Sequence, residues 1–235
     1  MIRRSVEDPA RPPPGCERDA LYAPQGLAHG ISVLTAEPLF GQILQRAGPP
    51  QFRQRRNGFG TLLHIILEQQ VSIDAAAAMY HRLVGLCRPL GPTTFLALDE
   101  ATLRACGFSR QKMGYARDLA AAVDRGSFDF TRLAASEDDT ALAALLAVRG
   151  IGRWSAEIYL LFALGRPDVW PAADLGLQVA IGEELGLGAH PGELELRRRG
   201  EAWRPWRSVA ACLFWQSYLH ARGRTAPRLP AELYA

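Results

Sequence analysis

The sequence predicts an all-α fold. Three observations carry that expectation: apolar residues recur at helical spacing through most of the chain from Thr35 onward, the marked segments are separated by short connections bearing proline, glycine or a capping residue, and no alternating apolar-polar run of useful length occurs. About ten helices with such connections bury their apolar faces on one another, as helical proteins must. No internal repeat or flexible interdomain linker interrupts them.

Residues 1 to 30 hold Pro9, Pro12, Pro13, Pro14, Gly15, Pro24 and Gly26 with little periodicity, and are expected to form an extended or mobile arm. Pro38 suits the first turn of a helix that runs through Phe40, Ile43 and Leu44 to Gly48, and Pro49-Pro50 end it. Arg53, Arg55 and Arg56 then form a basic cluster in a loop, more often a solvated face than a binding site, though well placed if nucleic acid passes nearby. Residues 59–70 make a nearly all-apolar helix that closes on Glu68-Gln69-Gln70, polar groups expected to cap the turn. Ser72 opens a helix over 74–87, and shorter helices follow over 93–98 and 99–106. A longer one over 109–125 is closed by Gly126, where a left-handed residue ends a helix at little steric cost. Ser136, Asp138 and Asp139 start a helix whose acidic first turn suits the positive end of its dipole. Helices over 153–164, 175–185, 193–203 and 205–222 complete the chain, with a break at Gly186, Gly188, Pro191 and Gly192.

The 235 residues, 48% of them hydrophobic, are ample for a sizeable core in one large domain or two small ones. The formal net charge is only +3, and Lys112 is the only lysine, so the basic side chains are otherwise arginine and histidine. Arginine is the better planar partner for phosphate, but a compositional bias that also raises alanine explains the excess equally well. Cys16, Cys87, Cys106 and Cys212 lack any C-x-x-C pairing, which excludes a zinc or iron-sulfur reading. Cys87, Cys106 and Cys212 sit in apolar helical contexts as small core residues. The N-terminus has no apolar signal core and the longest apolar run, 158–164, is too short for a bilayer, so the expected setting is the reducing cytoplasm with no membrane partner.

The chain centres on residues 142–174: a helix, a tight turn at Arg149-Gly150-Ile151-Gly152, a second helix, and a return loop ending on Asp174. Glycines two apart allow a turn that side chains would resist and leave N–H groups at the next helix start open to an anion, with Arg149 and Arg153 flanking. A Gly-x-Gly turn alone is also what ordinary helix connections use. Asp174, before Leu-Gly-Leu-Gln, stands where a helix N-cap belongs, and judged in isolation capping is the simpler role. Capping and facing a ligand are compatible.

Several motifs occur in one order: Glu-Gln-Gln-Val-Ser at 68–72, Cys-Gly-Phe-Ser-Arg-Gln-Lys from 106, Arg-Gly-Ile-Gly-Arg-Trp-Ser-Ala from 149, Pro-Ala-Ala-Asp-Leu from 171, and Trp-Arg-Pro-Trp-Arg-Ser from 203 with Trp215 beyond. On them, residues 37–218 resemble the DNA-3-methyladenine glycosylase II type of alkylpurine DNA glycosylase, within the helix-hairpin-helix/GPD superfamily of base excision repair. The resemblance implies two helical subdomains flanking a DNA-binding cleft: a terminal one over 31–58 and 175–235, and a central one over 59–174 that carries the hairpin at 142–164. It implies Asp174 as the catalytic aspartate, and Trp154, Tyr159 and Trp215 as the lining of a base pocket. Gly150, Gly152 and Ser155, with Arg149 and Arg153, would contact DNA phosphate, and Gln70 would be the wedge that fills the gap left by a flipped base. The backbone carbonyls of Leu146, Val148 and Ile151 would face a monovalent cation when DNA is bound; no cofactor is otherwise required.

The reaction implied is hydrolysis of the N-glycosidic bond of 3-methyladenine and 7-methylguanine type lesions in double-stranded DNA, by a monomer found with the nucleoid. The base is first rotated out of the stack, and one carboxylate then stabilises the oxocarbenium-like sugar. An alkylated purine already carries positive charge and leaves easily, and an electron-rich pocket favours it by about 0.5 to 2 kcal/mol. Trp154 stands where members that also cut the backbone carry a Schiff-base lysine, so no lyase activity is expected. The chain departs from the pattern at Arg149, where many members have proline, at Ala173, where some have a second acid, and at Ile158, where some have an aromatic. With the short segment before Glu37, the β domain that some members add is not expected, and the lack of a cysteine cluster argues against the iron-sulfur branch. Two rival readings are a glycosylase for other damaged or mismatched bases, and a helix-hairpin-helix protein that binds DNA without catalysis; the latter has no use for Asp174.

Overall fold

The computed structural model describes Leu21 and residues 26–235. Among these residues the regular structure is helical, with a single isolated bridge between Arg55 and Tyr234. In chain order the helices are α1 (Gly26–Leu34), α2 (Pro38–Ala47), α3 (Phe59–Glu68), α4 (Ile73–Leu86), α5 (Pro92–Leu96), α6 (Glu100–Ala105), α7 (Arg110–Asp124), α8 (Phe130–Ala135), α9 (Asp138–Leu146), α10 (Arg153–Phe162), α11 (Leu175–Glu184), α12 (Glu193–Gly200) and α13 (Arg207–Ala221). Side-chain caps start many of them: Ser72, Asp99, Ser109, Asp129 and Asp174 each accept an N–H of the first turn that would otherwise lack a partner.

The chain divides into two compact units. One comprises the described residues up to Phe52 together with Gly165–Thr225; the other comprises Arg53–Leu164 with Ala226–Ala235. This differs from the expected division at three places. Residues 53–58 go with the central unit because Arg55 forms a buried pair with Glu68, and the C-terminal segment returns to them through Arg56 N–H to Leu233 O, 2.7 Å. Residues 165–174 leave the central unit because they carry Trp170, packed edge-on against Trp203 at 5.1 Å, and Asp168, paired with Arg204 and Arg207.

In the first unit α2, α11 and α13 surround an aromatic core of Phe40, Trp203 and Phe214, all buried, with Trp206 beneath α1. α1, over Gly26–Leu34, corrects the expected arm at residues 26–30; the rest of that arm, Leu21 apart, lies outside the described residues. It lies close on α13: a Cβ on Gly30 would come within 2.7 Å of Val209 and 2.8 Å of Trp206, so glycine is what permits this packing.

The second unit is built on α3, whose residues are buried at every position but Gly60, with α4, α7 and α10 against it. Burying its leucines and isoleucines contributes about 1.5 to 3 kcal/mol each. α8 is a second helix the sequence did not mark; Asp129 caps it through Thr131 and Arg132. No described helix is long and apolar enough to cross a membrane.

Candidate active site

The hairpin lies in the second unit, between α9 and α10. Gly150 has φ +88°, and a Cβ there would run into the Tyr115 ring, so both its conformation and the ring packed on it require glycine. Gly152 is different: it is exposed at φ −83°, a Cβ would meet nothing, and it brings no side chain to cap α10. An incoming group can therefore approach the first turn of α10 closely, where N–H groups and the helix dipole favour an anion. Arg149 is 72% exposed, paired with Asp118 at 2.7 Å and set over Tyr115, and Arg153 is 51% exposed beside Glu157 at 3.0 Å. The Arg149–Asp118 pair is shallow enough to exchange for phosphate, whereas Arg153 also serves as counter-charge to Glu157, whose side chain is buried.

Behind the turn stands the end of α3. Gln69 Nε2 donates to Gly150 O at 2.9 Å and to Ser155 Oγ at 3.0 Å, joining the α3 terminus to both sides of the hairpin. Lys112 Nζ, its pKa lowered by burial, donates to Leu67 O at 2.7 Å. Next to these, Gln70 is exposed with φ +57°, a left-handed conformation rare for a residue with a side chain, and Val71 and Ile73 beyond it are 41% and 38% exposed. Thus the polar end of α3 does more than cap its own turn.

In the first unit Asp174 is half-buried and N-caps α11. Its Oδ1 accepts from Leu177 N–H at 2.8 Å and from Trp215 Nε1–H at 2.9 Å. Trp215, 8% exposed, also meets Phe52 edge-on at 5.8 Å. A carboxylate oxygen fixed by two donors is preorganised, with its orientation set before any ligand arrives. Leu175 and Gly176 follow at the helix start, and Leu175 is 63% exposed.

Among the expected site residues, Asp174 and Trp215 meet directly, and Gly150 and Ser155 are bridged by Gln69. Three expectations need correction. Tyr159 is fully buried; its hydroxyl donates to Asn57 Oδ1 at 2.5 Å and accepts from Gly58 N–H at 2.8 Å, and burial pushes its pKa far up, so it is a core residue with no face for a base. Ser155 is 2% exposed beneath Gln69, so its hydroxyl anchors α3 and is not at the surface for phosphate. Arg55 leaves the basic cluster for a buried pair with Glu68. Trp154 is half-buried in the first turn of α10. Leu146 is 41% exposed, whereas Val148 and Ile151 are buried and the Val148 carbonyl accepts Ile151 N–H at 3.0 Å. Gln69, Tyr115, Lys112 and Phe52 were not singled out for the site, because each is tied to it by a partner distant in sequence.

Comparison with known proteins identifies the family. A Bacillus subtilis protein, YfjP, is 30% identical over 168 residues, which are 68% of this chain and 58% of that one, so the chain spans little more than half of that relative. Among solved structures, the Schizosaccharomyces pombe 3-methyladenine DNA glycosylase Mag1, in complex with abasic DNA, superposes with a TM-score of 0.74 at 25% identity, covering 80% of this chain and 94% of Mag1. A DNA-3-methyladenine glycosidase from Bacillus halodurans gives 0.71 at 33% identity over 88% of this chain and 94% of that one. The family described as HhH-GPD superfamily base excision DNA repair protein matches residues 63–205, a span that takes in the end of α3, the hairpin and Asp174, and the chain belongs to that family.

Proposed function

We propose that the protein is a monofunctional DNA glycosylase that removes alkylated purines, of the 3-methyladenine and 7-methylguanine type, from duplex DNA by hydrolysing the N-glycosidic bond. The observation that carries this reading is Asp174: a half-buried carboxylate, oriented by Leu177 N–H and Trp215 Nε1–H, in the Pro-Ala-Ala-Asp-Leu segment whose resemblance implies a catalytic aspartate. The hairpin N–H groups, with Arg149 and Arg153, grip phosphate, and Gln70 enters the stack as the base rotates out. Asp174 stabilises the positive charge that develops on the sugar and guides the attacking water. The leaving base is already cationic, so no strong acid is needed behind it; the indole of Trp215, bonded to Asp174, supplies an electron-rich surface that favours such a base.

The carbonyls of Leu146, Val148 and Ile151 would hold a monovalent cation once DNA is bound. They fit it as an uncharged oxygen set in which the Val148 carbonyl, already accepting Ile151 N–H, keeps a second lone pair. Such a cation would add positive charge facing phosphate.

The deciding experiment is base release from methylated duplex DNA by the wild type and by Asp174→Asn, with binding measured alongside. Release is expected to fall by at least about a hundredfold in the variant, in line with the loss of one preorganised transition-state group, while binding persists. A wild type that binds methylated DNA and frees nothing would sink the reading in favour of other lesions or of binding alone. Because position 154 is tryptophan, no amine is set for a Schiff base there; borohydride treatment during turnover should trap no protein-DNA adduct.

A further inference from the structure

Gln70 is the one non-glycine residue with positive φ among the described residues, and such a conformation persists only where its surroundings fix it. The fixing groups can be named. Val71 N–H closes the turn on Glu68 O at 3.4 Å, Lys112 Nζ holds Leu67 O at 2.7 Å, and the two donors of the Gln69 amide are both used, on Gly150 O and Ser155 Oγ. Lys112 and Tyr115, three residues apart on one face of α7, touch the α3 terminus and Gly150 respectively, so one helix backs both the turn and the hairpin.

We infer that Gln69 is a positioning residue that locks the strained, exposed turn at Gln70 to the hairpin, so that gripping phosphate and entering the base stack occur as one coupled act. The inference rests on the proposed roles of Gln70 as wedge and of the hairpin as phosphate grip. A hairpin that binds DNA without this tie would hold the duplex while the wedge relaxed toward an ordinary backbone conformation; binding would survive and distortion of the stack would not. Glutamate cannot replace the amide, since it has no hydrogen to give the Gly150 carbonyl.

The test uses the full chain and two duplexes of one sequence, one undamaged and one carrying a tetrahydrofuran abasic analogue, with 2-aminopurine beside that site. In Gln69→Ala and Gln69→Glu the preference for the abasic duplex should fall about tenfold, a size typical of coupled neighbours, and the 2-aminopurine signal of unstacking should fall with it. Affinity for undamaged DNA should stay near wild type, whereas a merely structural role for Gln69 would lower the affinity for both duplexes alike. Gln70→Ala should lower the preference in the wild-type background and have little further effect once Gln69 is alanine. If Gln70→Ala is damaging while both Gln69 variants keep the wild-type preference, or if the losses simply add, the lock is overturned and the wedge stands. If Gln70→Ala itself changes nothing, the wedge assignment fails and the lock fails with it.

Discussion

Asp174 shows how a residue can answer to a local rule and a functional one with the same atom. Its Oδ1 caps α11 through Leu177 N–H, as the residues on either side suggest, and the same oxygen takes the Trp215 indole N–H from α13. A hydrogen bond to a charged acceptor contributes about 1.5 to 3 kcal/mol, so the indole is a large part of what orients the carboxylate. Trp215→Phe keeps an aromatic ring and removes that donor. Single-turnover base release should slow by about tenfold or more with substrate affinity less affected, as for a loss felt at the transition state. A rate within twofold of wild type, with affinity reduced instead, would assign Trp215 to the base alone. Tyr159 is the opposite case. Its place on an apolar helix could serve core or pocket, and only the partners Asn57 and Gly58, about a hundred residues away in sequence, show that it is core.

At the scale of elements, the hairpin owes its shape to Gly150 more than to Gly152. Gly150→Ala would place a methyl group against the Tyr115 ring and force a left-handed alanine, together costing about 2 kcal/mol or more. Gly152→Ala meets neither obstacle in the free protein. Thermal unfolding should therefore separate the two, with a marked fall only for Gly150→Ala, whereas DNA affinity should suffer in both if phosphate approaches Gly152 closely. Helices with a cap, a period and a stop were legible in the sequence, and α3, α4, α7, α10 and α11 lie within a few residues of expectation. α1 and α8 were not. α1 packs through a close approach at Gly30 that the sequence alone does not reveal, and α8, six residues long, rests on a cap by Asp129 that was not read as a helix start. The site was legible where chemistry is written locally, in Gly-Ile-Gly and Pro-Ala-Ala-Asp, and illegible where it depends on the long-range partners of Gln69 and Lys112.

Across the whole molecule the described core is apolar and aromatic, so the charges taken inside it carry unusual weight. Glu68, at the end of α3, is the clearest. Burial alone would push its pKa up, but the charge of Arg55, bonded to both its oxygens at 3.1 and 3.2 Å, and the His64 imidazole 3.2 Å away hold it at about 2. Because the folded pKa lies below that of the unfolded chain, this carboxylate adds stability at every pH above about 4.5. That contribution shrinks as pH falls and is gone once the folded group itself protonates near 2. The shift corresponds to something on the order of 3 kcal/mol. Glu68→Gln leaves Arg55 buried without its counter-charge, a loss of about 3 to 5 kcal/mol at neutral pH. Urea unfolding at steps from pH 7 to pH 2.5 should show wild-type stability falling steeply below pH 4.5, and the variant, weaker at neutral pH, falling less steeply. Parallel curves would mean that Glu68 is not the carboxylate that couples protons to folding.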